Sequence, residues 1–338
     1  MTAMPRNAPP PLNSESGAAL AAVLVVVAVM SVLAISVVEA ARFTIQRTGN
    51  QVEMDQTRWY LLGAEAYAVR RIDQALSAGA AEAANPSDWH DRKITLPLED
   101  GSMQVSVASG DNCFNLNSLV RQEEGGTFVA SEDGQARFSR LLASLGVQSH
   151  RTLAASLADW IDTDNVPGLG GAEDESYGGG AAIALPANQL LGDSSEMRYI
   201  AGFDAGVTSR IARLACVRPT PSANLIAVNT LRPDHAPLLT AIFGPGLPLA
   251  SAEALIRERP HGGWQSLDAF FVDRRIAPIQ LSDESRAMFT KLSRWYVIGI
   301  RVNFGDTTET SVALVDTAAG RGRVVRRVFG ARVANNLL

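Results

Sequence analysis

Between Ala18 and Val38 the chain is an almost unbroken apolar run, interrupted only by Ser31 and Ser36 and free of charge until Glu39. As a helix, its 21 residues span about 31 Å at ~1.5 Å per residue, the thickness of a bilayer's hydrocarbon core. A cleaved secretory signal has an apolar region of only roughly 7–15 residues, so the run predicts a transmembrane segment over 18–38. Arg6 precedes the span and Arg42 and Arg47 follow it, which leaves its orientation open by charge alone. Further on, Trp59, Leu62, Ala66, Val69, Ile72 and Leu76 recur at spacings of three and four, and no proline lies between Leu12 and Asn85. One long helix over 18–80 is predicted, with Gly49 as its weak point and a stop near Gly79 to Pro86.

From Lys93 to Ser109 the pattern changes to short β-prone runs around Glu99-Asp100-Gly101, where Asp-Gly signals a hairpin. Trp295 to Phe304, Glu309 to Val315 and Arg323 to Phe329 read as three further strands, punctuated by Gly305-Asp306 and Gly320-Arg321-Gly322. The stretch between the two strand groups has helical and loop character. The resulting fold class is α+β: a long N-terminal transmembrane helix packed on an antiparallel sheet drawn from 87–112 and 293–338, interrupted by a mainly α-helical insertion over 113–292.

Charge enters the picture inside the insertion. Asp159, Asp162, Asp164, Glu173, Asp174 and Glu175 crowd into one stretch, and no Lys or Arg occurs between Arg151 and Arg198. Hard oxygen donors at this density suit Ca²⁺, which takes ~6–8 oxygens at flexible geometry, and glycines 168, 170, 171 and 178–180 let carbonyls wrap inward over the loop 159–180. An EF-hand is excluded, because Val166 fails its fifth position and Pro167 replaces its glycine. On composition alone a solvated acidic loop is the favoured reading, because most charge runs are simply exposed.

A second pattern covers 224–272: Val228-Asn229-Thr230, Leu238-Leu239, Gly244-Pro245-Gly246, Ala254-Leu255-Ile256 and Gly262-Gly263-Trp264, laid out like a helix-hairpin-helix. Such units often place hairpin N–H groups on DNA phosphates. Pro245 and Pro248 lack that donor, no Lys or Arg lies between Pro233 and Ile256, and the whole chain carries a net charge of −5, so a packing module is expected and no nucleic acid. Asn115-Leu116-Asn117 followed by Leu141-Leu142 and Leu145-Gly146 is a faint upstream echo of the same layout. The two cysteines, Cys113 and Cys216, are either bridged or two buried thiols; a bridge is worth up to ~4.7 kcal/mol in the chain-entropy model.

The polar Ser14-Glu15-Ser16-Gly17 standing directly before Ala18 resembles a prepilin peptidase site, in which cleavage follows the glycine. Pilin-like subunits mostly carry glutamate at the fifth mature position, whereas that position here is Ala22. With Cys113-Phe114-Asn115-Leu116-Asn117, Asp159-Trp160-Ile161-Asp162-Thr163-Asp164, Gly171-Ala172-Glu173-Asp174 with Tyr177, Asn188 with Glu196, and Val228-Asn229-Thr230, the chain resembles the K subfamily of type II secretion minor pseudopilins. That resemblance implies a leader over 1–17 cut between Gly17 and Ala18, a pilin-like fold, and structural calcium on Asp162, Asp164, Glu173 and Asp174, with Asp159 and Glu175 as further candidates. It also implies a single-pass protein of the bacterial inner membrane with a periplasmic body, at the tip of a pseudopilus that exports folded proteins. The implied partners are the I and J minor pseudopilins, the major pseudopilin and the prepilin peptidase, with secreted substrates and the outer-membrane secretin beyond them.

No enzyme is expected. His90, His150, His235 and His261 are scattered, with no HExxH pair, Gly-x-Ser-x-Gly elbow or phosphate-binding loop. The competing classes are a membrane-anchored DNA receptor with a helix-hairpin-helix module and a minor type IV pilin.

Overall fold

The computed structural model describes residues 15–77, 93–177, 185–222 and 225–330. Most of the leader and the expected helix stop near Gly79 to Pro86 lie outside them. Two units are distinguished, 1–59 and 60–338.

Helix α1 (Glu15–Ser77) is already helical ahead of Gly17 and passes Gly49 and Gly63 without a break. In the first unit every side chain from Ala18 to Val52 is exposed, and this helix is long and apolar enough to cross a membrane. Its hydroxyls are satisfied internally, as a lipid environment demands: Ser31 Oγ donates to the Val27 carbonyl at 2.8 Å and Ser36 Oγ to that of Val32 at 2.9 Å.

In the second unit, α1 meets a five-stranded antiparallel sheet of order β1-β2-β9-β10-β11. The strands are β1 (Lys93–Leu98), β2 (Gly101–Ser109), β9 (Trp295–Phe304), β10 (Thr307–Asp316) and β11 (Arg323–Phe329). The β1–β2 turn pairs Leu98 with Gly101. Gly101 is needed there for close approach rather than for a left-handed turn: a Cβ on it would lie 1.9 Å from the Asn303 carbonyl oxygen.

Alternation along the strands sends Tyr296, Ile298, Ile300 and Val302 to one face with Val105, Val107, Ala313 and Val315. Leu61, Ala64, Ala68 and Ile72 cover them. Of the predicted stripe, Ile72 lies in this core and Val69 and Leu76 pack against it, whereas Leu62 is half-buried, Ala66 is exposed and Trp59 is 70% exposed. The buried line runs one position to the side in its first turns, where small alanines at 64 and 68 let the helix lie close on the sheet. Within this interface the buried Glu65 accepts a two-pronged bond from the Arg327 guanidinium, and Asp73 accepts the Gly322 N–H at 2.5 Å.

The helical body leaves the sheet after β2 and returns at β9. Its first half begins at β3 (Phe114–Asn115) and continues through β4 (Val120–Gln122), β5 (Phe128–Ala130), α2 (Glu132–Ser144), α3 (His150–Ile161), α4 (Asp174–Tyr177) and α5 (Ala205–Ile211) to β6 (Ala215–Cys216). The second half runs from β7 (Ile226–Ala227) through α6 (Ala236–Phe243), α7 (Leu249–Arg257), α8 (Leu267–Phe271) and α9 (Asp283–Ala287) to β8 (Phe289–Thr290). In each half the opening strand pairs in parallel with the closing one, β3 with β6 and β7 with β8. One continuous apolar core, from Phe114 to Phe289, joins the two.

Candidate metal centre and its supports

The amides of the sequence motifs are clamps. Asn117, in the turn after β3, accepts the Leu191 N–H at 2.8 Å and donates to the Leu191 carbonyl at 3.0 Å. Asn229, at the matching place after β7, accepts the Trp264 N–H at 2.8 Å and donates to the Trp264 carbonyl at 3.1 Å. Both sit in short 3₁₀ turns. Asn115 uses the same device on Arg218, Thr220 and Ser222, and Asn112 ties Ala227 and Thr230 of the second half to the first. Satisfied backbone groups deep in a helical body are what these amides provide. The faint echo in the sequence thus corresponds to two similarly built halves.

Helix α3 ends in the acidic stretch, and among the described residues no Lys or Arg forms an ion pair with Asp159, Asp162, Asp164 or Glu173. Asp159, Asp162 and Glu173 are 2%, 3% and 3% exposed. Ligand oxygens of Asp162, Asp164 and Glu173 converge within 4.8 Å of one another. Asp162 Oδ1 and both Glu173 carboxylate oxygens are buried without a hydrogen-bond partner. Burial, followed by repulsion from the neighbouring carboxylates, pushes Asp162 and Glu173 each up to about 7. Asp159 is also raised, by burial first, although the Gly168 N–H donates to it at 3.1 Å.

Glycine is required around that carboxylate, since a Cβ on Gly171 would lie 1.8 Å from Asp159 Oδ2. Asp164 is exposed and accepts the Val166 N–H at 2.8 Å. Asp174 and Glu175 fall in the first turn of α4 and stand outside the three-carboxylate group. Successive helical side chains diverge by about 100°, so Asp174 and Glu175, both in α4, face different directions. Buried, unpartnered anionic oxygens without a counter-charge fit a hard divalent cation; burying them bare is costly.

Two other sites were legible only in part. Cys113 and Cys216 form a disulfide with Cα atoms 5.7 Å apart, at the root of the first half. Asp111 and Arg218 carry no sequence signal, yet they build the junction with the sheet. Asp111 accepts the N–H groups of Arg294 and Trp295, while Arg218 donates to the Gly110 carbonyl and lies over the Trp295 ring at 5.1 Å. Burial pushes Asp111 up to about 7 against these contacts, and lowers Arg218 to about 10.

The helix-hairpin-helix layout is present as α6, a turn at Gly244–Gly246 and α7. Leu238, Leu239, Leu255 and Ile256 pack into the core.

An exposed apolar helix continuing into an antiparallel sheet, with a helical body inserted between two of its strands, defines a pilin-like subunit. Two family models, both described as type II secretion system protein K, match residues 112–220 and 226–289. Type II secretion system protein K of Klebsiella pneumoniae is 34% identical over 320 residues, covering 94% of this chain and 97% of the relative. The protein of that name from Pectobacterium carotovorum subsp. carotovorum is 29% identical over 324 residues, with the same two coverages. The chain belongs to the type II secretion system protein K family. Its fold is similar to a chain in the crystal structure of the GspK-GspI-GspJ complex of the enterotoxigenic Escherichia coli type 2 secretion system. There the TM-score is 0.69 at 24% identity, covering 84% of this chain and 99% of that one.

Proposed function

We propose that this chain is the minor pseudopilin at the tip of the type II secretion pseudopilus, where it helps initiate assembly and the export of folded proteins across the outer membrane. The observation that carries the reading is the helical body spliced between β2 and β9. A fibre subunit stacks through its N-terminal helix, and a body of this size on the sheet leaves no room for a successor, so the subunit belongs at the end. Its role is structural. Minor pseudopilins of the I and J subfamilies are its partners, a reading supported by the solved neighbour, which is a complex of that composition. The major pseudopilin and the secretin lie next along the same route.

Processing by the prepilin peptidase between Gly17 and Ala18 releases a mature chain that starts with the apolar span, in the inner membrane, with the sheet and helical body in the periplasm. Calcium is a structural ion held by Asp162, Asp164 and Glu173, with Asp159 holding the loop around it; when bound it neutralises the cluster. Support comes from the orphaned buried oxygens of Asp162 and Glu173.

Two measurements test this. The mature N-terminus, read by mass spectrometry, is expected at Ala18 and is lost in Gly17→Ala; a chain retaining Met1–Gly17 beside an active peptidase overturns the processing. Co-purification of the full chain from detergent is expected to bring I- and J-type subunits with it. Salt-sensitive DNA binding without those partners would replace the tip by a receptor.

A further inference from the structure

The acidic loop is wired to the far edge of the sheet. The N–H groups of Ala187 and Asn188 both donate to the Trp160 carbonyl, at 3.2 and 3.1 Å, just ahead of Asp162. Asn188 holds a left-handed φ of 48°, rare for a side-chain-bearing residue, and its Nδ2 donates to Asn165 Oδ1 at 3.0 Å, just past Asp164. Three residues on, Leu191 is clamped by Asn117. The N–H groups of Gly192 and Asp193 then donate to Glu196 Oε1 at 2.8 Å each. Asp193 ends the run: one carboxylate oxygen caps the 3₁₀ turn at Ser195, and the other accepts the guanidinium of Arg326 on the edge strand β11. On the other side of the acidic group, Glu173 leads into α4, and the Tyr177 hydroxyl accepts the Ala201 N–H at 2.9 Å. Both ends of the acidic loop are therefore fastened to the stretch 187–201.

We infer that occupation of the acidic site is read out at the sheet edge: a cation that fixes Asp162, Asp164 and Glu173 fixes 187–193, and so holds Asp193 against Arg326 and the helical body against β11. This rests on the calcium reading above. The coupling has a physical requirement. Without the ion, repulsion among the carboxylates loosens 162–173, and the fastenings on 187–201 start from that segment or from α3 and α4 beside it, apart from the Asn117 clamp on Leu191 and the Arg326 contact itself. The link is also reciprocal, because whatever the ion does for the Asp193–Arg326 contact, the contact does for the ion. An isolated, half-exposed ion pair contributes little by itself, so an effect of its loss on a site so many residues away in sequence is not a local stability effect.

The test uses the full chain in detergent, with Ca²⁺ alone as ligand. Calorimetric titration gives affinity, and amide exchange of 323–329 gives the state of the edge. The wild type is expected to bind Ca²⁺ and to slow exchange in β11 at least tenfold on binding. Asp193→Asn keeps the cap but drops the charge, and Arg326→Gln breaks the pair from the other side. Each is expected to lose the calcium-dependent protection of β11 and to bind Ca²⁺ about fivefold more weakly, an effect within the range of ordinary coupling. Arg323→Gln, on the same edge but without an ion pair to any described residue of the helical body, is expected to behave as wild type. If the wild type binds Ca²⁺ while β11 exchange and the affinities of both variants stay unchanged, the coupling is overturned and the metal site stands. If the wild type takes up no Ca²⁺, the metal reading falls and the coupling with it.

Discussion

The two halves of the helical body are built alike and held differently. Each opens with a two-residue strand, turns through a 3₁₀ segment carrying an asparagine clamp, forms a helical hairpin and closes with a strand parallel to the first. Between the second hairpin helix and the clamped residue, however, the first half spends 162–190 and the second only 258–263. The short connection closes on protein groups alone: Arg259 donates to the Leu231 carbonyl at 3.0 Å, and Gly262 and Gly263 take left-handed φ values of 86° and 82°. The long one has bonds of this kind too, from Thr163 to the Phe128 carbonyl and from Ala187 and Asn188 to that of Trp160. It adds a disulfide at the root and a carboxylate cluster that asks for a cation. A module of one design tolerates a long connection when covalent and ionic constraints are added to the backbone contacts that suffice for a short loop.

The largest expected effect comes from the covalent constraint. Replacing both Cys113 and Cys216 by serine opens a loop with a sequence separation of 103, and the chain-entropy model puts the loss at about 4 kcal/mol. Denaturant unfolding of the full chain measures it, and amide exchange should place the loosening in 112–220 and spare 226–289. Equal loosening of both halves would dissolve the contrast.

The clamps should show the likeness instead. Asn229→Ala strands one backbone N–H and one carbonyl and should cost about 3 kcal/mol, and Asn117→Ala strands one N–H and two carbonyls and should cost about 4 kcal/mol, so the two unfolding curves should shift in the same direction. A loss confined to Asn117 would mean that the halves only look alike.

Much of this was open to a reader of the sequence. The long apolar N-terminal helix follows from its unbroken apolar run, all five sheet strands follow from alternation and turn signals, and the acidic cluster follows from composition. The clamps were visible as motifs but not as clamps, because an amide reaching 74 residues along the chain to Leu191 leaves no local pattern. Asp111, Arg218 and the ion pairs Glu65–Arg327 and Asp193–Arg326 are silent for the same reason: each is a single polar residue whose partner is distant. The buried stripe of α1 was placed correctly at Ile72, with Val69 and Leu76 beside it, and misplaced in the turns before, where close packing selected Leu61, Ala64 and Ala68 over Leu62 and Ala66.

Glycines separate the halves more finely. Gly171→Ala drives a Cβ into the Asp159 carboxylate and should cost about 2 kcal/mol by overpacking, together with calcium affinity. Gly262→Ala meets open space and only a positive φ, and should cost about 1 kcal/mol. Thermal unfolding with and without calcium measures both, and only the first should depend on the ion.

The effect of pH is the most diagnostic, because its sign reverses. In the ion-free chain Asp162 and Glu173 titrate near 7, against about 4 when unfolded, so the folded state holds protons that the unfolded state has lost. The stability they contribute is complete below about pH 4 and falls as pH rises through 7. Calcium must displace those same protons, so each carboxyl weakens its binding about tenfold at pH 6 relative to pH 8, or about 1.4 kcal/mol. At fixed calcium, the ion's increment to stability should therefore grow from pH 6 to pH 8, while the ion-free chain weakens over the same interval. Asp111 also titrates near 7, but it does so with or without the ion and cancels from the increment. Thermal unfolding of the full chain at pH 6, 7 and 8, in calcium and in chelator, reads both slopes, and Asp162→Asn should flatten the growth by about one tenfold step. An increment that is the same at pH 6 and pH 8 would mean that no proton leaves these carboxyls when the ion arrives, and the first half would then owe its longer connection to the disulfide alone.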